Sequence, residues 1–416
     1  MNQYRQALLT RRRALGALSA TPALRFVPTG EAQSPSSGSD APSLGNLFLE
    51  IESYKRALSP DYSFLNSRFD NLESWKAEAR ARYETLLLYS PERVTPAARI
   101  ISRQKRNGYT EEHLSFRTSP FTEIPALLLV PENPLPSRPA LAALHDHGGF
   151  YFYGKEKLVE VEHEPRVLAE FKQRIYEGTS YASDFARAGF VVLVIDAFYF
   201  GQRRLDPQML PSKARAPLNG LQPESDDFIT ASNKLAGAYE SLTAKTIFLS
   251  GATWPGMLVW DDLRSVDYLA TRPEVNPDRI GCVGLSLGGL RAAHLCGLHA
   301  RIRSTVVCCF MSTFESMLRN DVEHHTWMLY APGAVRVLDL PDVASLTAPN
   351  ALMVQYGEHD PLFPPKGKHD SAEKLRATFA KARCPEKFKP AFYDAPHMFS
   401  KKMQSDALEW FRRTLA

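Results

Sequence analysis

The sequence feature that most restricts the fold is the segment 284–289, which reads Gly-Leu-Ser-Leu-Gly-Gly. An apolar run over 280–285 leads into the serine and an apolar-periodic stretch follows it, so the motif joins a predicted strand to a predicted helix. A G-x-S-x-G turn in that setting raises the hydroxyl of Ser286 above the edge of a sheet. Glycines flank the serine because a Cβ at either position would collide with the neighbouring element. The segment therefore predicts an exposed nucleophile at the end of a strand.

Strands and helices alternate along the chain from residue 113 onward. The predicted strands are 114–116, 126–130, 140–144, 190–195, 280–285, 305–311, 351–356 and 388–393, and the predicted helices among and after them include 181–188, 259–270 and 401–415. The first two strands are expected to form an antiparallel pair, and the later alternation predicts parallel β-α-β units. The fold class is therefore α/β, with a mostly parallel, doubly wound sheet flanked by helices. Ligands of such sheets bind at the carboxyl ends of the strands.

Composition and hydrophobic patterning divide the chain into three segments. Residues 1–44 combine a basic start with a linker rich in Pro, Ser and Gly, 45–110 is predicted to be a helical N-terminal extension, and 111–416 is the predicted catalytic domain. Two stretches of that domain, near 150–178 and 203–245, interrupt the alternation. Connections of such length are typical of lids or binding insertions.

Charge and composition exclude several classes of function. Residues 1–26 carry five arginines and no acidic residue against a formal net charge of +4, so the rest of the chain is near neutral and nucleic-acid binding is not expected. Arg11-Arg12-Arg13 before a weakly apolar run resembles a twin-arginine export signal, which predicts a periplasmic or secreted protein, with a disordered basic tail as the alternative. No run reaches the ~18 apolar residues of a membrane span, so stable membrane insertion is not expected. Five cysteines without a C-x-x-C pair predict neither a disulfide framework nor a zinc site.

A serine nucleophile requires a base and an acid downstream of it. Asp360 follows the strand predicted at 351–356, and His397 follows the strand predicted at 388–393 and precedes the closing helix. This order of serine, acid and histidine fits a hydrolase in which the imidazole takes the serine proton and the carboxylate orients the ring. Glu358 is the rival acid, because it stands two residues nearer its strand.

An oxyanion formed during acyl transfer needs two N–H donors. The backbone N–H of Leu287, directly after the serine, is one expected donor. The other is expected from the loop after strand 140–144, with Gly149 as the choice and Phe150 in reserve. The H-x-H pair in that loop also suits a metal site, but the sequence offers no third ligand, so neither a metal nor a cofactor is predicted. The sequence assigns no role to His324, His325, Arg203 or Arg204.

Four motifs together resemble the α/β-hydrolase superfamily in its dienelactone hydrolase and acetyl xylan esterase-like branch. They are H-D-H-G-G-F at 145–150, V-W-D-D-L-R-S-V-D-Y-L-A-T-R-P-E-V-N-P-D-R-I-G-C-V-G-L-S-L-G-G at 259–289, Q-Y-G-E-H-D-P-L-F-P at 355–364 and D-A-P-H at 394–397. The resemblance covers roughly residues 110–416 and implies hydrolysis of esters or lactones without a cofactor, often on acetylated carbohydrates. Dienelactone hydrolases proper carry a cysteine in the elbow, so Ser286 favours the esterase side.

The sequence thus predicts a serine hydrolase that cleaves carboxylic esters, with a small-molecule or carbohydrate ester as its substrate. An acyltransferase or a lactone hydrolase with the same triad is an alternative. A catalytically inactive binding protein on the same fold is a third possibility, although all three triad residue types are present. A prolyl-oligopeptidase-type enzyme is disfavoured, because the residues before the first core strand are too few for a propeller. Oligomeric state is not predicted.

Overall fold

Long apolar runs form the centre of a sheet in the computed structural model, which describes residues 41–132 and 137–416. The strands are β1 (Arg99–Arg106), β2 (Tyr109–Ser119), β3 (Thr122–Pro131), β4 (Arg138–Leu144), β5 (Val191–Ile195), β6 (Val275–Leu285), β7 (Ile302–Cys308), β8 (Ala351–Gly357) and β9 (Phe388–Tyr393). Every residue of β5 and of β8 is buried, as expected for parallel strands covered on both faces.

Helices cover both faces of this sheet. They are α1 (Leu47–Arg56), α2 (Leu72–Leu87), α3 (Arg166–Tyr176), α4 (Tyr181–Arg187), α5 (Ser212–Arg215), α6 (Asp226–Leu249), α7 (Trp254–Leu269), α8 (Leu287–Leu298), α9 (Phe314–Met317), α10 (Leu340–Ser345), α11 (Pro365–Lys381) and α12 (Lys401–Thr414). None of the helices in the described ranges combines the length and the apolar composition that crossing a bilayer requires. The export-like segment expected at the N-terminus lies, up to residue 40, outside the described residues.

The strand order in the sheet is β1-β2-β3-β5-β4-β6-β7-β8-β9. Pairing is antiparallel from β1 to β5 and parallel from β5 through β4 to β9. The predicted opening pair is present, since Leu114 of β2 lies opposite Ala126 of β3. This topology confirms the predicted fold class. It also brings the ends of β4, β6, β8 and β9 to one edge of the sheet, because parallel strands share a direction.

The sequence missed strand β1, which lies in the range 45–110 that was expected to be helical. The strand reads Arg-Ile-Ile-Ser-Arg-Gln-Lys-Arg and pairs with β2 along one side only. None of its residues is fully buried, so it lacks the apolar face by which a strand is recognised in a sequence. An edge strand rich in charge also resists pairing with other molecules.

Helix α2 attaches the N-terminal extension to helices that flank the sheet. Trp75 is fully buried in a cluster with side chains of α7 and α10. Lys76 and Arg80 reach across and donate to backbone carbonyls, at 2.7 Å to Ala348 and at 2.7 Å to Gly297. The extension is therefore held by long-range contacts with α7, α8, α10 and the segment before β8.

The two predicted insertions are ordered rather than loop-like in the described structure. The stretch 150–178 contains α3, and 203–245 contains α5 and most of α6, which is 24 residues long. Ser225 begins α6 as an N-cap whose side chain accepts from the Phe228 amide. Helix α6 carries the second insertion toward the edge of the sheet at which β4 ends.

Candidate active site

Ser286 is the single residue between strand β6 and helix α8. Its backbone angles, φ 58° and ψ −125°, are strained for any residue with a side chain. The surrounding glycines are required by close packing. A Cβ on Gly284 would stand 2.3 Å from the backbone of Gly288, and a Cβ on Gly288 would stand 2.0 Å from the carbonyl oxygen of Leu144. Strand β6, helix α8 and strand β4 therefore meet around a turn that only glycines permit, and the turn sets the position of the hydroxyl.

His397 and Asp360 lie together at the same edge. Nδ1 of His397 is 2.7 Å from Oδ2 of Asp360, whose other oxygen accepts from the amide of Leu362 at 2.9 Å. Burial of the ring opposes its protonation, but the adjacent Asp360 carboxylate more than offsets burial and raises the pKa of His397 to about 9. In the neutral form of the ring, the proton stays on Nδ1 beside Asp360 and Nε2 is free to act as a base.

The rival acid Glu358 does not share this position. Its side chain is exposed, whereas Asp360 is 4 % exposed and faces the imidazole. The neighbouring His359 is also exposed and pairs instead with Asp394 at 2.5 Å. Of the acidic residues that follow β8, the structure brings Asp360 to His397.

Ser286 and His397 are linked through the end of strand β7. The amide of Ser286 donates to the carbonyl of Cys308 at 3.0 Å, and the thiols of Cys308 and Cys309 lie 3.7 and 3.5 Å from the carbonyl of Met398. Among the described residues no hydrogen bond joins the Ser286 hydroxyl to the imidazole. Catalytic hydrogen bonds are often long without substrate and tighten once it binds.

The loop 145–150 after β4 faces the elbow across the sheet edge. Gly149 has φ +65°, and a Cβ added there would meet nothing within 4 Å, so this backbone borders open space. Its amide donates to Nδ1 of His147 at 3.1 Å. The amide of Phe150, the reserve donor, is bonded to the carbonyl of His147 at 3.1 Å. On the other side, Leu287 opens α8 and contributes the first helical N–H.

The two histidines of the H-x-H motif serve separate polar contacts. The Nδ1 of His145 lies 2.9 Å from the carbonyl of Asp146, and Nε2 accepts from the amide of Ala197 at 3.1 Å. Nε2 of His147 points elsewhere, to Glu240 at 2.6 Å. Within the described residues, neither histidine belongs to a cluster of three metal-type ligands. The two rings instead hold the loop 145–150 to the segment after β5 and to α6.

Comparison with known proteins places this geometry in a family. The family model of the dienelactone hydrolase family matches residues 176–410, more than half of the chain. The chain belongs to the dienelactone hydrolase family. Membership confirms the predicted enzyme class, a carboxylic ester hydrolase. The match to this family contains Ser286, Asp360 and His397, whereas Gly149 lies outside it.

Similarity to known proteins extends beyond the range matched by the dienelactone hydrolase family model. YtaP of Bacillus subtilis (strain 168), described as a hydrolase, is 26% identical over 306 residues, which is 73% of this chain and 88% of that protein. A Bacteroides fragilis structure described as an acetyl xylan esterase aligns over 86% of this chain and 84% of its own, with 20% identity and a TM-score of 0.65. The glucuronoyl esterase of Solibacter usitatus aligns over 86% of this chain and 98% of its own, with 14% identity and a TM-score of 0.57.

Glu240 is a polar residue near the loop 145–150 that the sequence analysis did not identify. It lies in the second insertion. It lies on α6 and accepts from the hydroxyl of Tyr151 at 2.8 Å in addition to its contact with His147. The hydroxyl of Thr326 lies 3.1 Å from each of its carboxylate oxygens. Burial opposes ionisation of Glu240, but the contacts with His147, Tyr151 and Thr326 outweigh it and lower the pKa of the carboxyl. No local sequence pattern predicts the role of Glu240, because the residues that it contacts are far away in the chain.

Lys157 was not identified from the sequence either, because no local pattern indicates its contacts with the loop 145–150. It is fully buried, donates to the carbonyls of Asp146 and His147 at 2.9 and 3.1 Å, and lies 3.6 Å from the Asp146 carboxylate. Burial lowers the pKa of Lys157 to about 8, although Asp146 acts in the opposite direction. Its ammonium also lies 4.9 Å from the ring centre of Phe200. The loop 145–150 is therefore tied down through its carbonyl groups.

Of the residues to which the sequence assigns no role, Arg203, Arg204 and His325 make internal contacts, whereas His324 is exposed. Arg203 pairs with Asp261 at 2.7 Å, and Arg204 lies over the ring of Phe152 at 4.1 Å. His325 is mostly enclosed, and burial lowers its pKa to about 4, so the ring is neutral. Both arginines therefore stabilise the connection after β5.

Proposed function

We propose that this protein is a serine esterase in which Ser286, His397 and Asp360 form a catalytic triad. One observation carries the proposal: His397 and Asp360 share a 2.7 Å hydrogen bond at the sheet edge where a strained turn presents Ser286. A carboxylate behind an imidazole, beside a serine on an elbow, is the arrangement by which a weak hydroxyl becomes a nucleophile.

The reaction is acyl transfer to water in two steps. Oγ of Ser286 attacks the ester carbonyl while Nε2 of His397 takes the hydroxyl proton, and Asp360 stabilises the imidazolium that forms. The amides of Leu287 and Gly149 are proposed to hold the oxyanion, the second by exchanging its bond to the His147 ring for one to the substrate. The imidazolium returns its proton to the leaving alcohol. Water then attacks the acyl-enzyme with the same histidine as base, which releases the acid.

Esters of small acyl groups, with acetylated carbohydrates among them, are the substrates we infer. The support is the fold shared with a protein described as an acetyl xylan esterase, over 86% of this chain. A serine rather than a cysteine in the elbow agrees with this choice. Assays with p-nitrophenyl acetate, acetylated xylo-oligosaccharides, a methyl glucuronate ester and a lactone separate the candidates. If the protein is an acyltransferase, adding acceptor alcohols to these assays will yield the ester of the added alcohol as a transfer product.

A pair of carboxylate variants tests the triad. Asp360→Asn is expected to lower kcat on p-nitrophenyl acetate by about 10⁴-fold, because the amide stabilises the wrong imidazole tautomer. The matched variant Glu358→Gln changes an exposed carboxylate of the same loop and is expected to retain wild-type kcat. Labelling by a fluorophosphonate, with the adduct located by peptide mass spectrometry, is expected at Ser286. An adduct elsewhere, or equal losses in both variants, refutes the triad.

A further inference from the structure

A cysteine that the proposed mechanism does not use lies beside the catalytic histidine. Cys309 follows β7 in a strained conformation, with φ 47°, and its side chain is buried. Potential ligand atoms of Cys309, Asp360 and His397 all lie within 4.8 Å of one another. In residues 41–132 and 137–416, this is the single group of three or more such side chains. Thiolate, carboxylate and imidazole are the three ligand types that zinc binds in proteins.

We propose that Cys309, Asp360 and His397 form an inhibitory binding site for a thiophilic divalent cation, with Zn²⁺ as the ion that fits best. The inference rests on the proposed function in one respect, that occupation of His397 stops ester hydrolysis. Bound zinc would use a ring nitrogen of His397 together with Sγ of Cys309 and a carboxylate oxygen of Asp360. Water fills the fourth position, as is usual where the protein supplies three ligands.

The dimensions of the cluster suit zinc. Bond lengths of about 2.0–2.3 Å in a tetrahedral site put neighbouring ligand atoms roughly 3.5 Å apart. The ligand atoms lie within 4.8 Å of one another. Side-chain rotations that shift the thiol sulfur and the ring nitrogen by about an ångström would bring them to zinc-binding distances. All three residues follow neighbouring strands of the parallel part of the sheet, β7, β8 and β9, so the fold already brings their side chains together.

Charge favours the same ion. The thiolate of Cys309 and the carboxylate of Asp360 together neutralise a divalent cation, so the occupied site carries no net charge into a buried region. The thiol and the ring give up protons to solvent as the metal binds. Mg²⁺ and Ca²⁺ prefer sets of oxygen ligands, and a site with one carboxylate and one thiolate offers them too few. The site should therefore discriminate zinc from the alkaline-earth ions.

Inhibition provides the first test. Zn²⁺ is expected to inhibit hydrolysis of p-nitrophenyl acetate by wild-type protein reversibly, with activity restored by EDTA, while Mg²⁺ has no effect. Cys309→Ala and Cys309→Ser are each expected to raise the zinc inhibition constant by roughly tenfold or more, as loss of a ligand contact does. Cys384→Ala, at another buried cysteine, is the matched control and should keep wild-type inhibition. Equal inhibition of the Cys309 variants and the wild type overturns the proposal.

Cobalt spectroscopy separates metal binding from catalysis. Titration of the full-length protein with Co²⁺ should produce a thiolate-to-cobalt charge-transfer band in the wild type and in Cys384→Ala, but not in Cys309→Ala or Cys309→Ser. Absence of the band from the wild type overturns the metal site. A band in the wild type with no hydrolysis of any ester leaves the metal site standing and refutes the esterase, so the two failures are distinguishable.

Discussion

The two sides of the proposed active site are held in place by different forces. On one side, the elbow at 284–289 is fixed by close packing, with glycines where a Cβ would stand 2.0 to 2.3 Å from backbone atoms. On the other side, the loop 145–150 is held by polar side chains, namely Lys157 on its carbonyls and Glu240 on the ring of His147. The elbow and the loop are in contact, because Gly288 packs against the carbonyls of Leu144 and His145.

The difference shows which interactions fix the position of the elbow and which fix the position of the loop. Packing at the elbow is steric: Gly284 packs on Gly288, Gly288 packs on Leu144 at the end of β4, and Ser286 between the two glycines has φ 58°. The contacts of the loop come from residues 10 and 93 positions away along the chain, measured from His147 to Lys157 and to Glu240. Steric restraint leaves the elbow one conformation, whereas polar restraint can be weakened one bond at a time. Substitutions on the two sides should therefore fail in different ways.

The largest effect is expected from relieving the strain at the elbow. Ser286→Gly should lower kcat on p-nitrophenyl acetate by on the order of 10⁶-fold, because the nucleophile is gone. The same variant should raise the free energy of unfolding by about 1 kcal/mol, since glycine adopts a positive φ without cost and the strain of one to a few kcal/mol exceeds its added chain entropy. Activity assays and chemical denaturation measure the two changes.

Ser286→Ala is the matched control for that prediction. Alanine removes the hydroxyl but keeps the Cβ, so the variant should be equally inactive without the gain in stability. Equal stabilities for the glycine and alanine variants would mean that the turn stores no strain, and the contrast between the two sides of the site would be lost.

The next largest effect is expected from Lys157. Lys157→Met removes both donors that hold the carbonyls of Asp146 and His147, and kcat should fall by about 10²-fold or more, as when an oxyanion donor is misplaced. Lys155→Met is its matched control, because Lys155 is also buried and pairs with Asp196 at 2.7 Å. Each variant removes the ammonium beside a buried carboxylate, Asp146 for Lys157 and Asp196 for Lys155, so each should cost about 3–5 kcal/mol of stability.

Only the loss of kcat should distinguish the two lysine variants. Active-site titration with a fluorophosphonate corrects the rates for the folded fraction. A fall in kcat of the same size in Lys155→Met would show that general destabilisation, and not the loop 145–150, explains the effect. Recovery of kcat in Lys157→Arg, which keeps the charge and the donors, would support positioning of the loop.

The contrast also explains what could be predicted from the sequence. The elbow was predictable because its glycines, strand and helix are consecutive. The pairing of Asp360 with His397 was predictable because each residue follows a recognisable apolar strand at an edge that the topology defines. Lys157 and Glu240 lie in the two insertions, where no pattern indicated their partners, and Cys309 sits in an apolar run where a cysteine resembles a small hydrophobe. Strand β1 was missed because its exposed residues give no periodic signal.

The pH dependence of kcat/KM distinguishes the titration of His397 from that of Lys157. The pKa of His397 is raised to about 9 by Asp360, and only the neutral ring can accept the serine proton. The kcat/KM should therefore rise with pH, with a gain of roughly 50-fold between pH 7 and pH 9. The stabilising effect of the charged ring has the opposite trend: it is fully present below pH 6.5 and is lost as the pH rises through about 9.

Two further observations sharpen that profile. Asp360→Asn should move the midpoint of the residual activity toward the ordinary histidine range, because the raising charge is removed. Lys157, with its pKa lowered to about 8, keeps donors for both carbonyls as a neutral amine, so kcat/KM should not decline near pH 8. A decline there would show that the loop depends on the charge of the ammonium.

The smallest effect is expected from Glu240→Gln, which preserves shape and removes charge. The amide oxygen can still accept from His147 and Tyr151, so only the charge-assisted part of these bonds is lost, about 1 kcal/mol, or a fivefold to tenfold fall in kcat. The KM should be unchanged, because Glu240 acts on the loop through His147 and not on the substrate. Asp227→Asn, an exposed site on the same helix α6, is the control and should match the wild type. A raised KM with unchanged kcat would instead make Glu240 a substrate-binding residue, and the second insertion would then be part of the pocket wall.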